Sequence, residues 1–172
     1  MKYFFSLSLL CLLLFSTFNS CAQQDKSKRP SPPALVTQKV GEVTVSIDYS
    51  QPSVNGRTVG GDLIATYGEV WRTGANEATV FEISKDVKVE GQTLAAGKYS
   101  LYSIPGETEW VIIFNKTWKQ WGTQYKQEDD ALRVKVKPGK SEAFVEKMTF
   151  AINKDGKVML TWGNVAVGFK VE

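Results

Sequence analysis

The chain has 172 residues, of which 42% are hydrophobic and 12% aromatic, enough for one domain with a real core and too few for two ordinary domains. The formal net charge is +3 and the basic residues are scattered, so the composition gives no electrostatic support for nucleic-acid binding. The sequence contains no histidine, which excludes Ser-His-Asp and Cys-His catalysis and the usual histidine-containing zinc sites. No cofactor motif and no metal site is recognisable.

The N-terminus is typical of an exported protein. Residues 1–20 predict a signal peptide, because Lys2 precedes an apolar run, residues 3–18, that is short for a bilayer span. Ser20 stands before Cys21, and the segment FNSC resembles a loose bacterial lipobox. The only other cysteine, Cys11, lies in the leader, so the mature chain would have one cysteine and no internal disulfide. We therefore expect lipidation at Cys21, with plain secretion as the alternative.

This interpretation places the protein in the bacterial cell envelope, as a membrane-anchored lipoprotein in the periplasm or at the cell surface. Residues 21–34 are rich in Lys, Ser, Pro and Gln and predict a flexible tether. The single domain is then predicted over residues 35–172.

The domain has the period-two hydrophobic pattern of β-strands. Ser100 and Tyr102 alternate with Tyr99 and Leu101, and turns are predicted at Gly41, Gly91 and Gly156. The predicted strands are residues 35–40, 43–50, 78–84, 97–104, 109–114, 131–137, 146–152, 157–162 and 164–171, with a further short hairpin about residues 90–91. About eight or nine strands at this spacing predict an all-β fold, an antiparallel, jelly-roll-like β-sandwich. The only helix expected is a short piece within residues 140–148.

The segment GEVWRTGANEATVF, residues 68–81, is the first candidate site. Arg72 offers a planar fork of donors, Glu77 can accept it, and Asn76 suits a turn. The interpretation favoured by the residues is an internal Arg72–Glu77 ion pair with Trp71 packed beneath it. The alternative is a pocket in which Arg72 binds an anionic or hydroxylated ligand and Trp71 stacks on that ligand.

The segment FNKTWKQWGTQY, residues 114–125, is the second candidate. Trp118, Trp121 and Tyr125 follow the most apolar strand. Exposed aromatic side chains of this kind stack on sugar rings or contact a partner. They are equally suited to form a lid over one end of the sandwich.

Five motifs together resemble an uncharacterised bacterial family that is common in Bacteroidetes, the domain-of-unknown-function family 2911. They are YSQPSVNGRTVGG, YGEVWRTGANEAT, LAAGKYSLYSIPG, WVIIFNKTWKQWG and LRVKVKP, and the resemblance covers roughly residues 31–172. Members are exported or lipoprotein-like, which agrees with the leader. The family has no established activity, so the resemblance assigns no catalytic residue.

Three functions remain open. The first is a non-catalytic envelope module that binds a small ligand, a glycan or a protein partner. The second is a histidine-free glycan hydrolase, which needs two carboxyl groups about 5 to 10 Å apart in one cleft. Its candidate acids are Asp48, Asp62, Glu69, Glu77 and Glu82, with Glu69 and Glu77 as the example pair. The third is a structural component of an envelope complex, which would expose a large apolar patch and lack a pocket.

Overall fold

The computed structural model describes residues 25–60 and 64–172. The predicted signal peptide, the lipidation residue Cys21 and the candidate acid Asp62 lie outside the described residues. The helices seen in the described ranges are two 3-10 turns, Lys26–Lys28 and Gln127–Asp129. Neither has the length or apolar character that crossing a membrane requires.

Ten strands form the domain. In chain order they are β1 (Pro33–Val40), β2 (Val43–Ser50), β3 (Thr79–Ile83), β4 (Val87–Val89), β5 (Gln92–Leu94), β6 (Gly97–Ile104), β7 (Trp110–Asn115), β8 (Asp130–Val136), β9 (Gly139–Ile152) and β10 (Lys157–Lys170). Six of them make one antiparallel sheet in the order β1-β2-β3-β6-β7-β8. The all-β prediction is confirmed. The order of the sheet is that of a meander, since sequential strands are neighbours apart from the inserted β4–β5 hairpin.

A second layer packs against the large sheet. Its main part is the β9–β10 hairpin, and the end of β10 continues onto β4 through hydrogen bonds from the Glu90 N–H to the Lys170 carbonyl and from the Glu172 N–H to the Lys88 carbonyl. The β4–β5 turn consists of Glu90 and Gly91, whose φ angles of +47° and +76° suit a tight two-residue hairpin.

The core lies between the two layers. Phe169 of β10 packs edge-on against Phe81 of β3 and Phe114 of β7, with ring centroids 5.9 and 5.5 Å apart. Phe81 and Phe114 are fully buried. Burying one such side chain contributes about 1.5 to 3 kcal/mol, so this aromatic cluster holds the layers together.

Two sequence predictions are wrong in detail. The helix expected within residues 140–148 is instead part of β9, which pairs with β10 through two register shifts. Residues 157–171, expected as two strands, include one continuous strand, β10, which accommodates the left-handed Gly163 at φ +58°.

The predicted boundary between tether and domain lies between residues 34 and 35, and the structure places it earlier in the chain. Strand β1 begins at Pro33, and the preceding residues already contact the domain. The Gln51 N–H donates to the Pro32 carbonyl, and the Asn76 amide donates to the Ser31 carbonyl over 3.0 Å. The part of the predicted tether next to β1 is therefore packed onto the domain.

Candidate functional site

Residues 71–77, the polar corner, are held against strand β6. The N–H of Trp71 donates to the Ser103 carbonyl over 2.8 Å, and the Ser103 N–H donates to the Trp71 carbonyl over 2.9 Å. The hydroxyls of Thr73 and Ser103 lie 2.9 Å apart. Thr73 and Asn76 have φ angles of +48° and +61°, in the left-handed region. This conformation is costly for Thr73, because its side chain is β-branched. The surrounding bonds hold the polar corner in this strained conformation and so fix the position of Arg72.

Residues 116–126, the aromatic loop, cross over the polar corner. The N–H of Ala78 donates to the Gln120 carbonyl, and the N–H of Gly122 donates to the Asn76 carbonyl, both over 3.0 Å. Gly122 has no room for a side chain, because an added Cβ would lie 2.5 Å from the Cδ of Arg72. The structure thus brings together the two segments that the sequence presents as separate candidates.

A cavity of about 460 Å³ opens where the polar corner and the aromatic loop meet, and we call it the tyrosine cavity. Tyr102 and Tyr125 form part of its wall, and their ring centroids lie 4.9 Å apart. The described residues that line it are Val70, Trp71, Arg72, Tyr102, Gly122, Thr123 and Tyr125. Sequence reasoning missed Val70, Tyr102, Gly122 and Thr123 as site residues.

The two tyrosines are neutral hydrogen-bonding groups at physiological pH. Burial raises the pKa of the Tyr102 hydroxyl, which accepts a hydrogen bond from the Gln120 amide over 3.1 Å. Burial, together with the Asp130 carboxylate 2.7 Å away, raises the pKa of Tyr125 to about 12. Arg133 binds the same carboxylate oxygen over 2.7 Å and the Tyr125 hydroxyl over 2.6 Å, so the Tyr125 ring is fixed.

The expected Arg72–Glu77 ion pair is not formed. Glu77 instead binds Lys26 over 3.1 Å and Arg29 over 2.8 Å. Burial alone would raise the pKa of Glu77, but hydrogen bonds from its own backbone, Lys26 and Arg29 outweigh it and lower that pKa. Glu77 and its neighbour Asn76 therefore hold the N-terminal segment and do not line the tyrosine cavity.

Arg72 differs from the other three arginines of the chain. Arg29 binds Glu77, Arg57 donates to the carbonyls of Val54 and Ser53, and Arg133 binds Asp130; each of these bonds is 3.0 Å or shorter. Within residues 25–60 and 64–172, the Arg72 guanidinium has no hydrogen bond and no carboxylate within 4.0 Å. Its aliphatic stem packs on Gly122, and its charge is close enough to act on Tyr102.

The remaining predicted residues have different surroundings. Trp71 stacks on the buried Trp162 with ring centroids 5.5 Å apart, and it contacts Trp110 edge-on at 6.2 Å. Trp71 therefore belongs to the core and presents only part of its surface to the cavity. Trp118 and Trp121 are 38% and 46% exposed and lie outside the cavity lining.

Glu69 and Glu77, the example pair of hydrolase acids, lie in different depressions. Glu69 borders a polar depression of about 450 Å³ on the other side of Arg72, which also includes Arg57 and Trp162. Glu77 borders a small depression of about 100 Å³ beside Lys26 and Arg29, which also includes Asp48. In the described part of the chain, no three His, Cys, Asp or Glu side chains lie close enough to share a metal ion.

The fold and this region define an all-β, two-layer domain with an aromatic cavity beside a cation that has no protein partner among the described residues. The model of the family DUF2911, proteins of unknown function, matches residues 31–171, and the chain belongs to that family. No match was found among curated proteins or among solved structures.

Proposed function

We propose that this protein is a non-catalytic binding domain of the bacterial cell envelope, anchored by a lipid on Cys21. Its ligand would be a small molecule that carries a carboxylate or phosphate next to a ring, bound in the tyrosine cavity. The observation that carries the proposal is Arg72, whose guanidinium lies at the cavity wall without a carboxylate partner among the described residues. Its planar fork of donors matches carboxylate and phosphate oxygens in a bidentate geometry.

Of the two tyrosines beside Arg72, Tyr125 supports a ligand with a ring. The Tyr102 side chain is almost fully buried, and its hydroxyl accepts a hydrogen bond from the Gln120 amide. The partly exposed Tyr125 lines the cavity and offers apolar surface on which a ring can pack, because aromatic pairs favour such contacts.

The charges of the region favour binding over hydrolysis. A glycan hydrolase needs one carboxylic acid that stays protonated near neutral pH. The pKa of Glu77 is shifted in the opposite direction, and both of its oxygens are occupied by Lys26 and Arg29. No carboxylate stands among the residues described along the wall of the tyrosine cavity.

Calorimetric titration with phenyl phosphate and benzoate, with phenol and benzyl alcohol as neutral analogues, tests the ligand site. We expect the anionic probes to bind the wild type more tightly than the neutral ones. Arg72→Met keeps the stem and removes the charge, and a hydrogen bond to a charged group contributes about 1.5 to 3 kcal/mol, so affinity should fall about tenfold or more. Arg57→Met, whose guanidinium is bound to backbone carbonyls, is the control. Equal binding of charged and neutral probes, or unchanged binding by Arg72→Met, would refute this site.

Metabolic labelling with a radioactive fatty acid tests the anchor separately. The wild type should take up label and remain with the membrane fraction, whereas Cys21→Ser should lose both properties. Ordinary secretion would give an unlabelled wild type.

A further inference from the structure

We propose that the aromatic loop, residues 116–126, is a second membrane contact that seats the domain on anionic lipid headgroups. The inference deepens the proposed function, because it rests on a lipid anchor at Cys21 that keeps the domain beside a membrane. It concerns the two tryptophans of the loop, which lie outside the tyrosine cavity, whereas Gly122, Thr123 and Tyr125 of the same loop line that cavity.

The exposed side chains of the loop suit a membrane–water interface. Trp118 and Trp121 are 38% and 46% exposed, although tryptophan is among the side chains most costly to leave in water. Indole rings are enriched at the headgroup level of bilayers, where the apolar ring is buried and its N–H stays hydrated. The ammonium of Lys98 lies 5.2 Å from the ring centroid of Trp118 and also binds the Glu82 carboxylate over 3.1 Å.

The charge of the loop is complementary to an anionic surface. Lys116, Lys119 and Lys126 are all exposed, and residues 116–126 include no acidic residue. Three acids follow the loop: Glu128, Asp129, which accepts a hydrogen bond from the Thr117 hydroxyl over 2.9 Å, and Asp130, which binds Arg133 over 2.7 Å. Basic residues close to aromatic ones attract anionic lipids and hold the aromatic rings at the interface.

The N-terminal segment places the anchor close to this loop. Lys26 and Arg29 bind Glu77, and the backbone of Glu77 forms a β-bridge with Trp121. Four peptide units join Cys21 to Asp25, and an extended chain spans at most about 14 Å over that length. A lipid on Cys21 would therefore enter the membrane close to the aromatic loop. The face of the domain that carries this loop would then lie against the bilayer.

The test uses the chain after removal of residues 1–20, carrying Cys21→Ser so that no lipid is attached. The core residues that the structure describes all lie in the retained part of the chain. Co-sedimentation with vesicles of phosphatidylcholine, with and without phosphatidylglycerol, measures binding. We expect binding to the anionic vesicles, weakened about tenfold or more by Trp118→Ala with Trp121→Ala. The matched control is Tyr67→Ala with Phe144→Ala, which removes two exposed aromatic residues elsewhere and should leave binding unchanged.

The charge is tested by Lys116→Gln, Lys119→Gln and Lys126→Gln together, against the same changes at the exposed Lys39, Lys88 and Lys157. Only the first set should weaken binding. Melting curves check that each variant is folded.

Wild-type binding that is absent, that ignores phosphatidylglycerol, or that survives loss of both loop tryptophans would overturn the inference. Binding of a soluble anionic polysaccharide without vesicle binding would also overturn it and assign the loop to a glycan. Arg72→Met should keep vesicle binding, so failure of the ligand site and failure of the membrane contact give different results.

Discussion

Gly122→Ala tests the junction on which the candidate site depends. The new Cβ would lie 2.9 Å from the Asn76 carbonyl oxygen and 2.5 Å from the Cδ of Arg72. The arginine stem can move, but the carbonyl also accepts the hydrogen bond of the Gly122 N–H and is fixed by the backbone. Overpacking of this kind costs about 1 to 3 kcal/mol.

Chemical denaturation gives the free energy of unfolding directly, and the expected loss corresponds to a fall in melting temperature of about 2 to 12 °C for a chain of this size. Gly139→Ala is the matched control, because its nearest neighbour, the Ala166 carbonyl oxygen, is 3.8 Å from an added Cβ. The control should change stability by about 0.5 kcal/mol or less. If Gly122→Ala were no more destabilising than Gly139→Ala, the packing of the aromatic loop on the polar corner would be refuted.

Three further changes test other parts of the structure. Phe169→Ala should cost about 3 to 5 kcal/mol by denaturation, because its ring contacts two phenylalanines of the large sheet; a cost below about 1 kcal/mol would contradict this layer packing. Folding raises the pKa of the Tyr125 hydroxyl from 10 to about 12. The stability that this hydroxyl contributes is therefore complete below pH 10 and is lost as the pH rises from about 10 to 12. Tyr125→Phe should remove that part of the pH dependence, and an unchanged profile would count against it. Glu77→Gln should cost less than about 1 kcal/mol, since its ion pairs are partly exposed, yet it should speed proteolysis within residues 25–32; unchanged cleavage would show that these pairs do not hold the segment.

The strands that follow a simple local pattern were predictable from the sequence. Val45, Ile47 and Tyr49 alternate with polar residues in β2 and are buried as expected. Strand β9 was not predictable in this way. Its partly buried residues Ser141 and Val145 precede the buried Met148 at helical spacing, because register shifts against β10 interrupt the normal alternation.

The composition of the site was predictable only in part, because its contacts are long-range. Arg29, the partner of Glu77, stands 48 residues earlier in the chain, and no local pattern indicates that pairing. Tyr102 gave a weak signal. It alternates with Tyr99 and Leu101 and so lies on the opposite face of β6, where the aromatic loop covers it and buries it.

The central claim is that the Arg72 guanidinium is kept for a ligand and does not brace the fold. The most direct measurement is the free energy of unfolding of Arg72→Met against the wild type in the absence of ligand. We predict a difference within about 0.5 kcal/mol, because the guanidinium has no described carboxylate partner and the stem is retained. A loss of about 3 to 5 kcal/mol, as expected when a buried ion pair is broken, would contradict the claim and identify Arg72 as a structural residue.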